Sequence, residues 1–144
     1  MPLRTYDPKK VIVTFGGVPI SGFADGEFVN ADRTNDMFTM VSGADGNATR
    51  SKSNDKTGTV QITLLQTSES NKYLSAIQIV DENANEGVLP LLISDVSGTS
   101  FVASPFAYIA KPVNVTEAKD VGNRVWTFQC VDMDIFESGV EAQA

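Results

Sequence analysis

Apolar and polar residues alternate most regularly between Thr59 and Leu64, where Val60, Ile62 and Leu64 interleave with Thr59, Gln61 and Thr63. A period of two marks a strand with one face on a core and the other on water or a partner. The alternation recurs over Arg124 to Asp132, with Trp126, Phe128 and Cys130 on one face and Val125, Thr127, Gln129 and Val131 on the other. Lys10 to Phe15 reads as a Val/Ile-rich strand that stops at Gly16-Gly17, a pair able to take the positive φ angles of a tight hairpin. Val18 to Ile20 begins the return, and Pro19, which lacks an amide donor, predicts an edge strand there. Glu27 to Ala31 and Asp36 to Ser42 follow, the latter with Met37, Thr39 and Val41 opposing Phe38 and Met40. Apolar residues on both faces predict burial on both sides, as at a contact between subunits.

One segment carries a helical period. Tyr73, Ala76, Ile77 and Val80 at i, i+3, i+4 and i+7 predict an amphipathic helix of about 12–15 residues. Thr67 or Ser68 is the expected N-cap, with Glu69 in the first turn, and Asn83 to Gly87 ends the helix. Val88 to Ser94 and Thr99 to Ala110 read as strands joined by an Asp95-Val96-Ser97-Gly98 turn, and Pro105 predicts a bulge or edge in the second. The sum is a mainly β chain, an antiparallel β-sandwich or barrel of about seven or eight strands with one flanking α-helix. Residues 1–135 are expected to form a single β domain and residues 136–144 an acidic C-terminal tail.

Composition narrows the function. Eighteen acidic and 11 basic residues give a net charge of −7, which argues against a surface that grips nucleic acid, because neutralising phosphates takes clustered Lys and Arg. The absence of histidine removes the usual general base, the histidine-dependent nucleophilic constellations and the commonest zinc ligand. Cys130, the one cysteine, sits in an apolar strand and reads as a small buried hydrophobe, not a nucleophile. No glycine-rich phosphate loop is present, so the sequence predicts no enzymatic activity, no metal and no cofactor. The longest apolar run, Val88 to Ile93, is interrupted by Pro90, and Met1-Pro2-Leu3-Arg4 has no apolar core for a signal peptide; neither a membrane span nor a leader is expected.

The stretch Gly43 to Lys56 contains no aliphatic residue larger than Ala and mixes Arg50, Lys52 and Lys56 with Asp45 and Asp55. A connection this long is either a mobile solvated loop or a functional one. It must stand out from the fold, since nothing in it can anchor to a core.

The string GADGNATRSKSNDKTGTVQITLLQTSESN, from Gly43 to Asn71, resembles the tail-tube proteins of contractile-tailed bacteriophages. Tyr6-Asp7-Pro8-Lys9-Lys10-Val11, the Ser21-Gly22-Phe23-Ala24-Asp25-Gly26 turn and Asn123-Arg124-Val125-Trp126 are similar to the same family. The resemblance implies a structural subunit of a virion tail, assembled in the host cytoplasm. It implies hexameric rings in which part of each sheet joins its neighbours in a closed barrel, stacked around a channel that DNA crosses without specific binding. It also implies a surrounding contractile sheath, and baseplate and tail-terminator proteins as further partners. On that resemblance the projecting loop, with Gly43, Asp45, Gly46, Arg50, Lys52, Asn54, Asp55 and Lys56, is the expected contact between rings. Thr59, Gln61 and Thr63, the cleanest polar stripe, are assigned to the lumen. The alternatives are an inner-tube protein of a type VI secretion or other contractile injection system, and a monomeric β-sandwich ligand-binding module. For the last, Tyr6, Tyr73 and Tyr108 form no evident aromatic platform.

Overall fold

The computed structural model describes residues 7–95 and 100–137, and in it nearly all strands join one antiparallel sheet rolled over on itself. In chain order the elements are β1 (Val11–Phe15), β2 (Val18–Ile20), β3 (Val29–Arg33), β4 (Phe38–Ser42), β5 (Ala48–Lys52), β6 (Gly58–Leu65), α1 (Ser70–Ala84), β7 (Leu89–Asp95), β8 (Ser100–Ile109), β9 (Asn123–Val131) and β10 (Asp134–Glu137). The sheet runs β2-β1-β7-β8-β9-β6-β3, with β10 paired to β8 and with β4 and β5 forming a separate hairpin. Two more strands are present than the alternation suggested, because β5 and β10 carry no buried face to announce them.

The roll follows from what the strands must bury. In the sheet β7 and β8 separate β1 from β9, yet the rings of Phe15 and Phe128 meet edge to face at 5.0 Å, so the two halves of the sheet close on each other. Val13, Phe15, Leu91 and Ile93 from one half pack against Val60, Ile62, Leu64, Trp126 and Phe128 from the other. The corner is β8. Its first half, Ser100 to Ala103, pairs with β10, while Phe106 to Ile109 pairs with β9, and the register against β7 shifts between Leu89 and Leu91. The irregularity expected at Pro105 therefore marks the bend, and the buried Ser104 hydroxyl there is satisfied by the carbonyls of Phe106 and Val131.

α1 covers one end of the core. Leu74 is its buried anchor, Tyr73 donates its hydroxyl to the Phe15 carbonyl at 2.8 Å, and Asn71 accepts the Trp126 indole N–H at 2.8 Å. The buried stripe runs through Ser70, Leu74 and Ile77, so Ala76 and Val80 of the expected face lie outside it. The N-cap residue is Glu69 and not Thr67 or Ser68, but the Ser68 oxygen still accepts the first helical amide, that of Ser70, at 3.2 Å while its hydroxyl donates to the Ser21 carbonyl at 2.6 Å. Asn85, in the left-handed conformation at φ 57°, closes the helix through its amide to the Asp81 carbonyl.

A sharp kink separates β9 from β10. Asp132 takes φ 52°, which a short polar side chain tolerates, and the fully buried Met133 then turns under β6 onto Gly58. β10 runs through residue 137, so the segment expected to be a tail from 136 starts inside a strand; residues 138–144, and the Asp95–Gly98 turn beyond Asp95, lie outside the described residues.

Candidate assembly interface

The β3–β6 ladder ends at Arg33 and Gly58, but the two chains do not part. The Thr34 amide reaches the Thr57 carbonyl at 3.0 Å, the Ser53 amide reaches the Met37 carbonyl at 2.8 Å, and pairing resumes between β4 and β5. The stretch expected to be a loop from Gly43 to Lys56 is thus the tip, one strand and the root of a hairpin arm. Five residues per strand extend it by roughly 17 Å before the turn. At the tip the Gly43 amide bonds the Asn47 carbonyl at 2.7 Å, Gly46 sits at φ 88°, and Asp45 accepts from the Asn47 amide and side chain. Only glycine takes that φ without strain.

Every residue of β4 and β5 is exposed, so β4 is not buried on either side within one copy. The register sorts the arm into two faces. Phe38, Met40, Arg50 and Lys52 share one, with the Arg50 guanidinium 4.0 Å above the Phe38 ring, and Thr39, Val41, Thr49 and Ser51 share the other. Met37, Met40 and Val41 are 58%, 74% and 66% exposed, an apolar grouping of the kind that marks a contact surface.

The root is fastened to the body by charge. Lys56 Nζ lies 2.8 Å from Asp134 Oδ1, and Arg33 donates Nε and Nη2 to the Met133 carbonyl while its guanidinium faces the same carboxylate at 3.6 Å. The Lys56 hydrogen bond, then the Lys56 charge and more weakly that of Arg33, hold the Asp134 carboxyl below its ordinary range. Asp55 is lowered chiefly by the Thr57 amide and hydroxyl, with help from Asn35. Of the expected contact residues, then, Gly43, Asp45 and Gly46 form the tip and Arg50 and Lys52 one arm face. Asn54 is exposed at the root, and Asp55 and Lys56 are engaged within the copy.

Thr59, Gln61 and Thr63 point away from the core, and the register gives them company that periodicity alone could not. Asn30, Gln61 and Thr127 stand in one cross-strand row; Asp32, Thr59, Gln129 and Tyr108 stand in the next. On the outward positions of β3, β6 and β9 there is one carboxylate, Asp32, and no cation. Asn30 and Asp32 escape a sequence reading because a face is shared only once pairing partners are known. The other half of the rolled sheet differs: Ile12, Phe101 and Phe136 are exposed along one row, joined through Ser94.

Burial pushes the Cys130 thiol up to about 11, and among the described residues no cluster of three or more His, Cys, Asp or Glu side chains could hold a metal. The class of protein is set by a rolled β-sheet with a fully exposed outlying arm and an exposed apolar row. The sequence profile of the family described as bacteriophage PhiTE tail tube protein matches residues 10–137, and the chain belongs to that family, a structural one and not a family of enzymes. It is similar to structural protein ORF10 of Pseudomonas phage KPP10, 29% identical over 143 residues that cover 94% of this chain and 83% of the relative. Among solved structures it shares its fold with a chain of an extracellular contractile injection system, the PVC sheath–tube complex in the extended state (TM-score 0.59, 13% identity, 93% of each chain). It also shares it with the tube-terminating cap of the anti-feeding prophage (TM-score 0.58, 10% identity, 94% of this chain and 93% of that one). No helix among the described residues is long and apolar enough to cross a membrane.

Proposed function

We propose that the chain is the repeating subunit of a phage tail tube, in which hexameric rings stack around a channel for DNA inside a contractile sheath. The observation that carries this reading is the β3–β6–β9 sheet, which turns outward a cation-free face, polar at its centre and with Leu65, Val125 and Val131 toward its ends, and runs on into an arm with no buried residue. A channel lined mainly by such polar side chains, with one carboxylate per copy, offers DNA phosphates no cation to pair with. Thr59, Gln61 and Thr63 are assigned to that lining, together with Asn30 and Thr127. The free edge of β3 and the exposed row of Ile12, Phe101 and Phe136 are left to contacts that a ring closes, since unpaired edges and apolar patches are otherwise sites of aggregation. The arm is the contact between rings. Fold likeness to a chain of a sheath–tube complex supports a sheath as the outer partner, and baseplate and terminator proteins complete the virion tail.

Electron microscopy of the purified protein over a concentration series tests the reading; rings or tubes with a central channel are expected. Arg50→Glu and Lys52→Glu should leave the monomer folded and block stacking, and tubes of normal length from both would refute the role of the arm. In assembled tubes Gln61→Cys should remain open to a small thiol reagent. Protection of that thiol by a neighbouring copy would remove the stripe from the lumen.

A further inference from the structure

We infer that the arm of one copy docks on the opposite end of the same sheet in a second copy, against the connection of residues 110–122. The inference rests on the arm being the contact between rings and names the surface that receives it. Along β6 the arm root is at Gly58 and the far end is at Leu65, where β9 begins with Asn123. Seven residue steps place those ends roughly 23 Å apart, and the arm points away from the far end, so a copy cannot fill its own acceptor. A donor at one end and an acceptor at the other make a head-to-tail contact that repeats without closing, as a tube requires.

The far end looks like the complement of the arm. Residues 110–122 span thirteen positions between β8 and β9 with no strand or helix among them, a length that is usually functional in a compact protein. Val115 and Val121 in it are 65% and 64% exposed, an apolar counterpart to the exposed Met40 on the arm face that carries Arg50 and Lys52. The connection is nonetheless held in shape. Gln66 exchanges hydrogen bonds with Gly122 through its backbone amide at 2.9 Å and its side chain at 3.0 Å, and its amide nitrogen also donates to Glu117 at 3.0 Å. The second Glu117 oxygen takes Arg124 Nη2 at 3.3 Å, which fixes an exposed carboxylate over a buried guanidinium. A pinned carboxylate keeps less side-chain entropy to lose on docking.

Charge points the same way. The connections at the far end expose Asp25, Glu27, Glu69, Glu117 and Asp120. Against these five acids stand Lys111, Lys119, Lys72 in the first turn of α1 and the buried Arg124 turned onto Glu117, leaving −1; residues 110–122 alone are neutral, and the negative sign comes from Asp25, Glu27 and Glu69 beside them. From Phe38 to Lys52 the arm carries Arg50 and Lys52 against Asp45, or +1. Opposite signs on an apolar background fix register as well as adhesion.

Wild-type tubes treated with a water-soluble carbodiimide, digested and analysed by mass spectrometry test this directly. The reagent joins an ammonium to a carboxylate at contact distance, and the expected product links Lys52 of one copy to Glu69, Glu117 or Asp120 of another. In a second measurement, oxidised tubes of a Met40→Cys, Val121→Cys double variant should run as a covalent ladder on a non-reducing gel, because Cys130 is buried and stays out of the reaction. Tubes in which Lys52 joins only other acids, or none, overturn the docking site while leaving the arm as the ring contact. Normal tubes from Arg50→Glu and Lys52→Glu overturn the arm itself.

Discussion

Replacing Asn71 by Ala tests how the helix is joined to the sheet. Trp126 is 1% exposed, and its indole N–H has the Asn71 oxygen as its partner at 2.8 Å. Removing that acceptor strands a buried donor, which costs about 1–3 kcal/mol. The Asn71 amide also donates to the Leu65 carbonyl at 2.9 Å, but Leu65 is exposed and water can take over, so this loss is small. Alanine returns about 0.5 kcal/mol through its better helix propensity. The balance is a destabilisation of about 1.5 kcal/mol, a sizeable part of the roughly 5–15 kcal/mol that holds a domain together. Urea unfolding followed by far-UV circular dichroism, below the concentration of assembly, measures it. Trp126→Phe completes a double-mutant cycle with an expected coupling of about 1–2 kcal/mol. A loss under about 0.5 kcal/mol for Asn71→Ala, or no coupling, would mean that packing alone seats α1 and that the hydrogen bond is incidental.

Gly58→Ala should destabilise by roughly 1–3 kcal/mol or more, because the new Cβ would lie 2.0 Å from Met133 Cε and 2.7 Å from the Asp32 carbonyl, and the latter cannot move without breaking the ladder; an unchanged urea midpoint would contradict this. Asp134→Asn tests the fastening of the arm root through pH. The folded carboxyl is held below the ordinary carboxylate range by Lys56, so its stabilisation is complete above that range and fades as pH falls through the lower folded value. Wild type and variant should therefore differ by a small constant amount near neutrality and converge on acidification, and a gap that widens toward low pH would refute the assignment.

The buried halves of the strands were legible in the sequence, and the exposed ones were not. Alternation around Val60, Ile62 and Leu64, and around Trp126, Phe128 and Cys130, marks β6 and β9 because each has one face in the core. Ala48 to Lys52 has no such face, so β5 reads as loop although it is fully paired with β4. β10 is short and follows a left-handed residue, which breaks the period that would have carried a reader past Val131. The helix is legible and two residues of its expected face, Tyr73 and Ile77, pack on the core, but that face is centred on Leu74 and leaves Val80 outside. Of the candidate surfaces, Thr59, Gln61 and Thr63 were readable as a stripe, whereas Asn30 and Asp32 join them only through a register that one sequence does not encode locally.

The continuity of the arm with β3 and β6 decides how the subunit would bear load. A pull on the arm tip arrives at Arg33 and Gly58 along the strand axes, not across them. Force in that direction slides β6 against β9 and strains the whole ladder from Gly58 to Leu65 at once, where a sideways pull would open its bonds one after another. The part of the molecule that looks least supported is therefore coupled to its longest run of paired backbone. A contact made through the arm would resist a pull along the arm and would yield first by bending at Thr34 to Met37 and Ser53 to Thr57, where the ladder is interrupted.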